Sequence, residues 1–224
     1  MYEVNKNVEK IMMNKETKFL DYNMQELVKR KLSKVSYNVY RPYVDSEKVI
    51  YYTNELPQVL LYEIKGNNLK HSDILGTLFS LGIDPSMYGD ILIIDNHYYI
   101  YILEIIENYL LSHLTIINNQ KVELIKRNII DLKDYEREYE NIEIIVASVR
   151  LDNVVSKLIC MSRDNTINKI KDKEVLVNHN EVKYNYNLKI NDIISIRKYG
   201  KYKFIGIINK TKKNNLIIEI KKYI

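Results

Sequence analysis

Between Val4 and Leu32 apolar residues recur at helix-like spacing, as Val8, Ile11 and Met12 and then as Leu20, Met24, Leu27 and Val28. From Val35 to Ile64 the pattern shortens to extended segments: Val49-Ile-Tyr-Tyr follows Ser46-Glu-Lys, and VLLYEIK follows Pro57. His71-Ser-Asp opens a helix. Ser72 is its natural N-cap, Ile74, Leu75, Leu78 and Phe79 form its apolar face, and Gly82 is a C′ residue. ILIID and YYIYIL, joined by a turn at Asn96-His97, read as a hairpin. A second helix runs from Glu104 to His113, and TIINNQKVELIK is one strand or a hairpin through Asn118-Asn119. Asp131 to Glu140 is charged and aperiodic and reads as a connector, after which NIEIIVAS is extended. Helices alternating with a few strands predict an α+β fold with a mixed or antiparallel sheet.

The last third carries a sharper pattern, RLDNVVSKLICMSRDNTINKIKDKEVLVNHNEV from Arg150. Leu151, Val154, Val155, Leu158 and Ile159 stand at i, i+3, i+4, i+7 and i+8 and make one apolar stripe. Arg150, Asn153 and Lys157 fall on another face. Ser162 is placed to N-cap a second helix, with Asp164 at its positive end. In that helix Ile167 and Ile170 face inward, while Thr166, Lys169 and Lys173 run along a polar face. Val175-Leu-Val is a short strand and His179-Asn180 a turn. DIISIRKY and KYKFIGII are β runs around Gly200, and LIIEIKKY is the last strand. The two parts of the chain meet near Ala147 to Arg150.

Charge separates those parts. Residues 148–224 hold 17 Lys and Arg against 7 Asp and Glu, a balance of +10, which leaves −5 for residues 1–147. A small module this basic attracts a polyanion through phosphate contacts and counterion release. A lysine-rich solvated surface is the plainer alternative, so the positions of the charges have to decide. Cations spaced along a rigid helix can each meet a phosphate of a folded RNA strand.

Composition narrows the class less. Hydrophobic and charged contents of 46% and 28% are those of a globular chain. One cysteine, Cys160, forms no internal disulfide and suits a reducing cytoplasm. The opening MYEVNKNVEK is polar rather than signal-like, and the most apolar stretch, Tyr98 to Ile106, falls short of the ~20 residues of a membrane helix. A cytoplasmic location without membrane insertion is expected. The 20 tyrosines against 3 Phe invite a reading as base-stacking platforms. AT-rich codon usage, common to Ile, Asn, Lys and Tyr, explains them more simply, and no tyrosine is given a role on count alone.

The order of residues in the last third resembles the S4 RNA-binding domain. The matching pieces are Arg150-Leu-Asp, Ser162-Arg163, the helix end leading into VLVN at Val175 to Asn178, and Asp192-Ile-Ile-Ser-Ile-Arg, with Asn191 where a glycine is usual. A wider resemblance, to the bacterial YlmH-like S4 proteins, rests on two further runs. One is His71-Ser-Asp-Ile-Leu-Gly-Thr-Leu, continuing through Leu81-Gly82-Ile to Gly89-Asp90-Ile. The other is Arg197-Lys-Tyr-Gly-Lys-Tyr-Lys-Phe with Gly206 and Thr211-Lys-Lys. This resemblance implies an RRM-like α/β sandwich domain followed by a C-terminal S4 domain of two helices on a small sheet. It also implies association with ribosomal RNA, on the large ribosomal subunit, in handling stalled or obstructed peptidyl-tRNA, that is, ribosome-associated quality control. The chain departs from the family at Asp84-Pro-Ser-Met-Tyr, where an arginine is usual. It also lacks the usual glycines near Lys173 and at Lys198, which asks a non-glycine residue to close a helix at positive φ.

The expected organisation is then an N-terminal helical and extended region over 1–65, an RRM-like domain over 66–140 continuous with 35–65, and an S4 domain over 141–224. The expected function is non-catalytic binding of ribosomal RNA, with tRNA as a further candidate partner and no cofactor or metal. RNA contacts are expected from Arg150, Lys157, Arg163, Lys169 and Lys173. Ser162 and Thr166 are placed to cap or support, and Asn178, Arg197, Lys198, Lys201 and Lys203 extend the footprint along the sheet. The competing expectation is a cell-division-linked protein-interaction adaptor docking through the acidic N-terminal part. An RNA-modifying enzyme ranks third: pseudouridine synthases also use Arg-Leu-Asp, but inside a large catalytic domain, whereas here the motif opens a helix. His71, Asp73 and Asp90 could be imagined as a metal or acid–base site, yet no other His or Cys stands at ligand spacing. Neither GxGxxG nor a P-loop occurs.

Overall fold

The computed structural model describes all residues, 1–224, and the chain divides into two units, Met1–Glu136 and Arg137–Ile224. The first unit opens with α1 (Tyr2–Met12) and α2 (Tyr22–Lys31), not the single helical run that the spacing suggests. Asn14, at φ 56°, closes α1, and Lys15 N–H reaches back to the Lys10 carbonyl at 2.8 Å. The chain then runs extended beside β2 (Ile50–Tyr52), Thr17 N–H donating to Tyr51 O and Leu20 N–H to Val49 O. Asp21 caps α2 by accepting from Met24 N–H at 2.8 Å. β2 pairs with β1 (Asn38–Tyr40), and Ile11, Leu20, Val28, Leu32 and Val49 form a small core beneath the helices.

The rest of the first unit is β3 (Val59–Lys65), α3 (His71–Ser80), β4 (Tyr88–Ile94), β5 (His97–Leu103), α4 (Glu107–His113), a short hairpin of β6 (Ile116–Ile117) and β7 (Gln120–Lys121), and β8 (Glu123–Arg127). The four long strands make one antiparallel sheet in the order β4-β5-β3-β8, the βαββαβ arrangement of an RRM-like sandwich. Ile74, Leu78 and Leu110 pack from the helices onto Tyr62, Ile64, Ile100 and Ile102. Phe19, Tyr43 and Ile50 pack onto the other face, against Leu61, Leu92, Tyr101 and Leu103. A strand covered on both sides reads as a continuous apolar run, which is why YYIYIL does not alternate.

Three local expectations change. The α3 N-cap is Lys70 rather than Ser72: Asp73 accepts from Lys70 N–H at 3.0 Å, so its carboxylate reaches one residue further back. Only Ile74 and Leu78 of the expected α3 face are buried, while Leu75 is 40% and Phe79 80% exposed. A ten-residue helix lying on a sheet buries a stripe narrower than the full apolar set. The β4–β5 turn is Asp95-Asn96, both at positive φ, because these two residues tolerate the left-handed region that the turn requires.

In the second unit β9 (Tyr139–Val146) leads into α5 (Leu151–Leu158) and α6 (Arg163–Lys171), followed by β10 (Val175–Val177), β11 (Ile193–Ile196), β12 (Gly200–Lys210) and β13 (Leu216–Tyr223). The sheet order is β10-β11-β12-β13-β9, antiparallel throughout, with β9 paired along its whole length to β13. β9 therefore begins inside the stretch read as connector, whose other half packs Leu132 and Tyr135 on the first unit's sheet beside Ile129. The expected stripe of α5 is the core: Leu151, Val154 and Val155 are fully buried against Ile194, Tyr202, Phe204, Ile218 and Ile220. The α+β class is as expected.

Gly89 shows how closely the first unit is packed. A Cβ there would lie 3.0 Å from the Phe19 ring and 3.1 Å from Tyr101 Cβ. Gly89→Ala is expected to destabilise the protein by about 1–3 kcal/mol, the usual penalty of overpacking, read as a lower urea midpoint. An unchanged midpoint would show that Phe19 does not hold this position.

Candidate nucleic-acid interface

The start of α5 is organised by a buried acid. Asp152 has no exposed surface, and its Oδ2 lies 2.9 Å from Arg150 Nη2, 2.9 Å from Arg163 Nε and 2.8 Å from Arg163 Nη2. Arg150 Nε reaches its Oδ1 at 3.2 Å, and Asn153 N–H donates to the same oxygen at 3.0 Å. A carboxylate out of water needs such partners, and the planar guanidinium fork supplies them in fixed geometry. The Arg150 and Arg163 side chains remain 34% and 52% exposed, and Asp152 uses only some of their five donors each. Two cations around one anion leave a net positive, pre-oriented site, suited to a phosphate. An Asp with both oxygens occupied in this way is an anchor, unlike an exposed catalytic acid.

Local sequence explains the placement. Ser162 Oγ accepts from Asn165 N–H at 3.4 Å and starts α6, so Arg163 emerges at its first turn, over Asp152. Backbone bonds from Leu151 N–H to Tyr186 O and from Asp152 N–H to Tyr184 O pin the start of α5. The Arg150 guanidinium lies 5.9 Å from the Tyr184 ring, which is 38% exposed.

A second group of charges gathers at the far end of α6. The β11–β12 turn presents Arg197, Lys198 and Tyr199 at the surface, and Arg197 N–H donates to Glu174 O at 2.8 Å. Lys169 pairs with Glu174 and stands 5.8 Å from the Tyr199 ring. The Lys169 bond, helped by Arg197 and Lys198, holds the Glu174 carboxyl below its usual value. Lys173 closes α6 at φ 61° and meets Glu181 at 3.0 Å, both being well exposed. Lys198 is at φ 70° and Asn191 at φ 70°, so all three positions that lack the usual glycine take left-handed backbone.

The expected footprint thus divides. Arg150 and Arg163 come together, as do Lys169, Arg197 and Lys198, and Lys157 is exposed on α5. Thr166 is a correction: it is fully buried, its Oγ1 donating to Ser162 O at 3.0 Å, because its turn of α6 faces the core. Asn178 is another, at 8% exposure, with its side chain bonded to Asp192 Oδ1 and to Ile193 N–H to tie β10 to β11. Lys201 and Lys203 alternate with the buried Tyr202 and Phe204 and so lie on the sheet face away from the helices. Asp152, Tyr184 and Tyr199 were missed. The sequence marks Asp152 only as the third residue of the Arg150-Leu-Asp match, and it marks the two tyrosines by nothing beyond their number.

In the first unit the helix-free sheet face, where an RRM-like fold stacks bases, is largely covered, Tyr43 lying on Tyr101 with ring centroids 5.8 Å apart. What stays open is a cleft of about 310 Å³ lined by Leu61, Glu63, His97, Tyr99, Arg127, Asp131 and Leu132. Glu63, 2% exposed, accepts from Arg127 Nε at 2.8 Å, pairs with Lys65 and lies 2.8 Å from His97 Nδ1. Burial pushes its carboxyl up, but the bonds from His97, Lys65 and Arg127 outweigh that and hold it at about 2. Of the imagined metal or acid–base residues, Asp73 caps α3, while Asp90 is buried and accepts from Tyr43 Oη at 2.6 Å and Glu47 N–H at 2.7 Å. The segment from Asp84 to Tyr88 is a seat for the N-terminal region. Pro85 O and Tyr88 O accept from Lys48 Nζ at 2.7 and 2.9 Å, and burial pushes this amine down to about 8 against the pull of Asp90.

Residues 52–131 match a family model described as "Putative RNA-binding domain in YlmH". This segment is similar to the RNA-binding domain that the model describes. Over 157 residues, 68% of this chain, the protein is 29% identical to the ribosome-associated protein quality control protein P2 of Bacillus subtilis (strain 168), and the match spans 60% of that relative. In fold it is similar to the cell division protein ylmH from Streptococcus pneumoniae, with a TM-score of 0.50 and 20% identity over 59% of this chain and 93% of that one. The resemblance to YlmH-like proteins, read from the run between His71 and Asp90, is borne out. No helix is long and apolar enough to cross a membrane.

Two outcomes follow. Because the folded state holds the Glu63 carboxyl near 2, its stabilisation is complete above the ordinary value of 4.5 and is lost as pH falls from there toward 2. Urea midpoints across that window should fall in the native protein and stay flatter in Glu63→Gln; equal slopes would refute the assignment. Separately, Lys173→Gly should raise stability by about 1 kcal/mol by relieving left-handed strain, and an unchanged or lower midpoint would count against strain at this turn.

Proposed function

We propose that this chain is a non-catalytic RNA-binding protein whose second unit is an S4-type module that grips folded ribosomal RNA. The observation that carries the reading is the pair of exposed guanidinium groups held side by side on the buried Asp152. The +10 balance of residues 148–224 and the match of residues 52–131 to an RNA-binding domain model support it. Arg150 and Arg163 take one phosphate region, and Arg197 and Lys198, with Lys169 and Lys173 beside them, take a second at the far end of α6. Association with the large ribosomal subunit carrying obstructed peptidyl-tRNA, in the cytoplasm, is the finer proposal; the relative named for ribosome-associated quality control supports its ribosomal part, and the rest comes from the family resemblance.

The −5 balance of residues 1–147 and the 80% exposure of Phe79 favour a second reading, a cell-division-linked adaptor that docks protein through the first unit. Sedimentation of lysate separates the two. Co-migration with large subunits that high salt abolishes supports the first; an RNA-independent complex supports the second.

Arg163→Gln should weaken binding to large-subunit RNA and lower the salt dependence by about one unit of slope per lost phosphate contact. Asp152→Asn, which keeps both arginines but weakens their anchor, should weaken binding with less change in slope. Filter binding across a salt titration reads both. If Arg163→Gln binds like the native protein at every salt concentration, the interface is elsewhere.

A further inference from the structure

The helix-free face of the second unit's sheet has its own pattern of charge and rings. Tyr202, Phe204, Ile218 and Ile220 point into the core beneath α5 and α6, so their neighbours Lys201, Lys203, Lys221 and Tyr223, with Tyr139 and Asn141 on β9, share the opposite face. Lys203 stands directly opposite Lys221, and Lys221 opposite Asn141. Like charges in register across strands repel, so this row costs stability in the free protein and suits an anion lying over it. In the adjoining row Tyr139 pairs with Tyr223, their rings edge to face at 78° with centroids 5.1 Å apart. Three cations surround that pair: Lys221 is 5.2 Å from the Tyr139 ring, and Arg137 and Lys201 are 5.7 and 5.8 Å from the Tyr223 ring. Glu219 and Glu143, opposite each other two residues along, bound the patch on one side.

We infer that this face is a second RNA site, one that takes a short unpaired stretch by stacking bases on Tyr139 and Tyr223 and placing phosphates on Lys201, Lys203, Lys221 and Arg137. Rings and cations interleaved at this spacing match the alternation of base and phosphate in a single strand. An acidic peptide would use the cations and leave the rings idle; a membrane surface would need apolar tips standing clear of the cations. The site lies across the sheet from Arg150 and Arg163 and does not rest on the helix-face reading.

The test uses the full chain and a labelled oligouridylate of roughly ten nucleotides, followed by anisotropy through a salt titration. The double variant Lys203→Gln/Lys221→Gln, both surface changes, should weaken binding and lower the salt slope by about 0.7 per lost phosphate contact. Tyr223→Leu should weaken it about tenfold with the slope unchanged, and Tyr223→Phe should restore it. Arg163→Gln should weaken oligouridylate binding less than the lysine variant does. The proposal is overturned if the lysine variant binds as the native protein does, or if Tyr223→Leu has no effect. It also fails if Arg163→Gln weakens oligouridylate binding more than the lysine variant does, or if the lysine variant loses only affinity for phosphatidylserine vesicles.

Discussion

A carboxylate shut away from water has to be met by cations, and in this protein that requirement brings the two ends of the helical pair together. Asp152 lies in the first turn of α5 with no exposure, and Arg163 reaches it from the first turn of α6. The bond is structural, and it bears directly on the proposed phosphate site. It closes the α5–α6 corner over the core of Leu151, Val154 and Val155, and it fixes the direction of two guanidinium groups that remain partly in solvent. Charge alone would leave those side chains to wander; an anchored fork gives up less rotamer entropy when a phosphate arrives.

The first unit solves a different problem. An RRM-like sheet with helices on one face would leave the other open, and here Phe19, Tyr43 and the residues after β8 cover most of it. Tight contact of Phe19 at Gly89 and the seat that Lys48 finds on Pro85 and Tyr88 make the N-terminal region part of the domain rather than an appendage. The remaining cleft is lined by an ion network centred on Glu63, with the Tyr99 ring stacked on His97 beside it. The excess of positive charge lies instead in the last third of the chain.

Composition has left its mark on the backbone. Eight of the thirteen non-glycine residues at positive φ are asparagines, the residue type that tolerates this region best after glycine. A chain with only six glycines meets its turn requirements with Asn. Lys173 and Lys198 are exceptions: a long cationic side chain has no such tolerance, and both stand in the charged group at the end of α6. Strain held at two lysines of one surface is in keeping with a binding role there.

Much of this was legible along the chain. The α5 stripe, the Ser162 cap, the Gly82 helix end, the Asn118-Asn119 turn and the charge asymmetry all depend on residues within a few positions of one another, or on simple counts. Such features follow from local period and capping chemistry, which a sequence carries directly. The convergence of Arg163 on Asp152, eleven residues apart, was not legible, nor was the pairing of β9 with β13 or the folding of residues 17–20 beside β2. Period assigns a residue to a face of its own element and says nothing of which element covers that face. Thr166 therefore looked like part of a polar stripe and is core, and Lys201 and Lys203 looked like an extension of the helical footprint and lie across the sheet from it. Register and long-range packing, fixed only when the whole chain closes, sort these cations into separate surfaces.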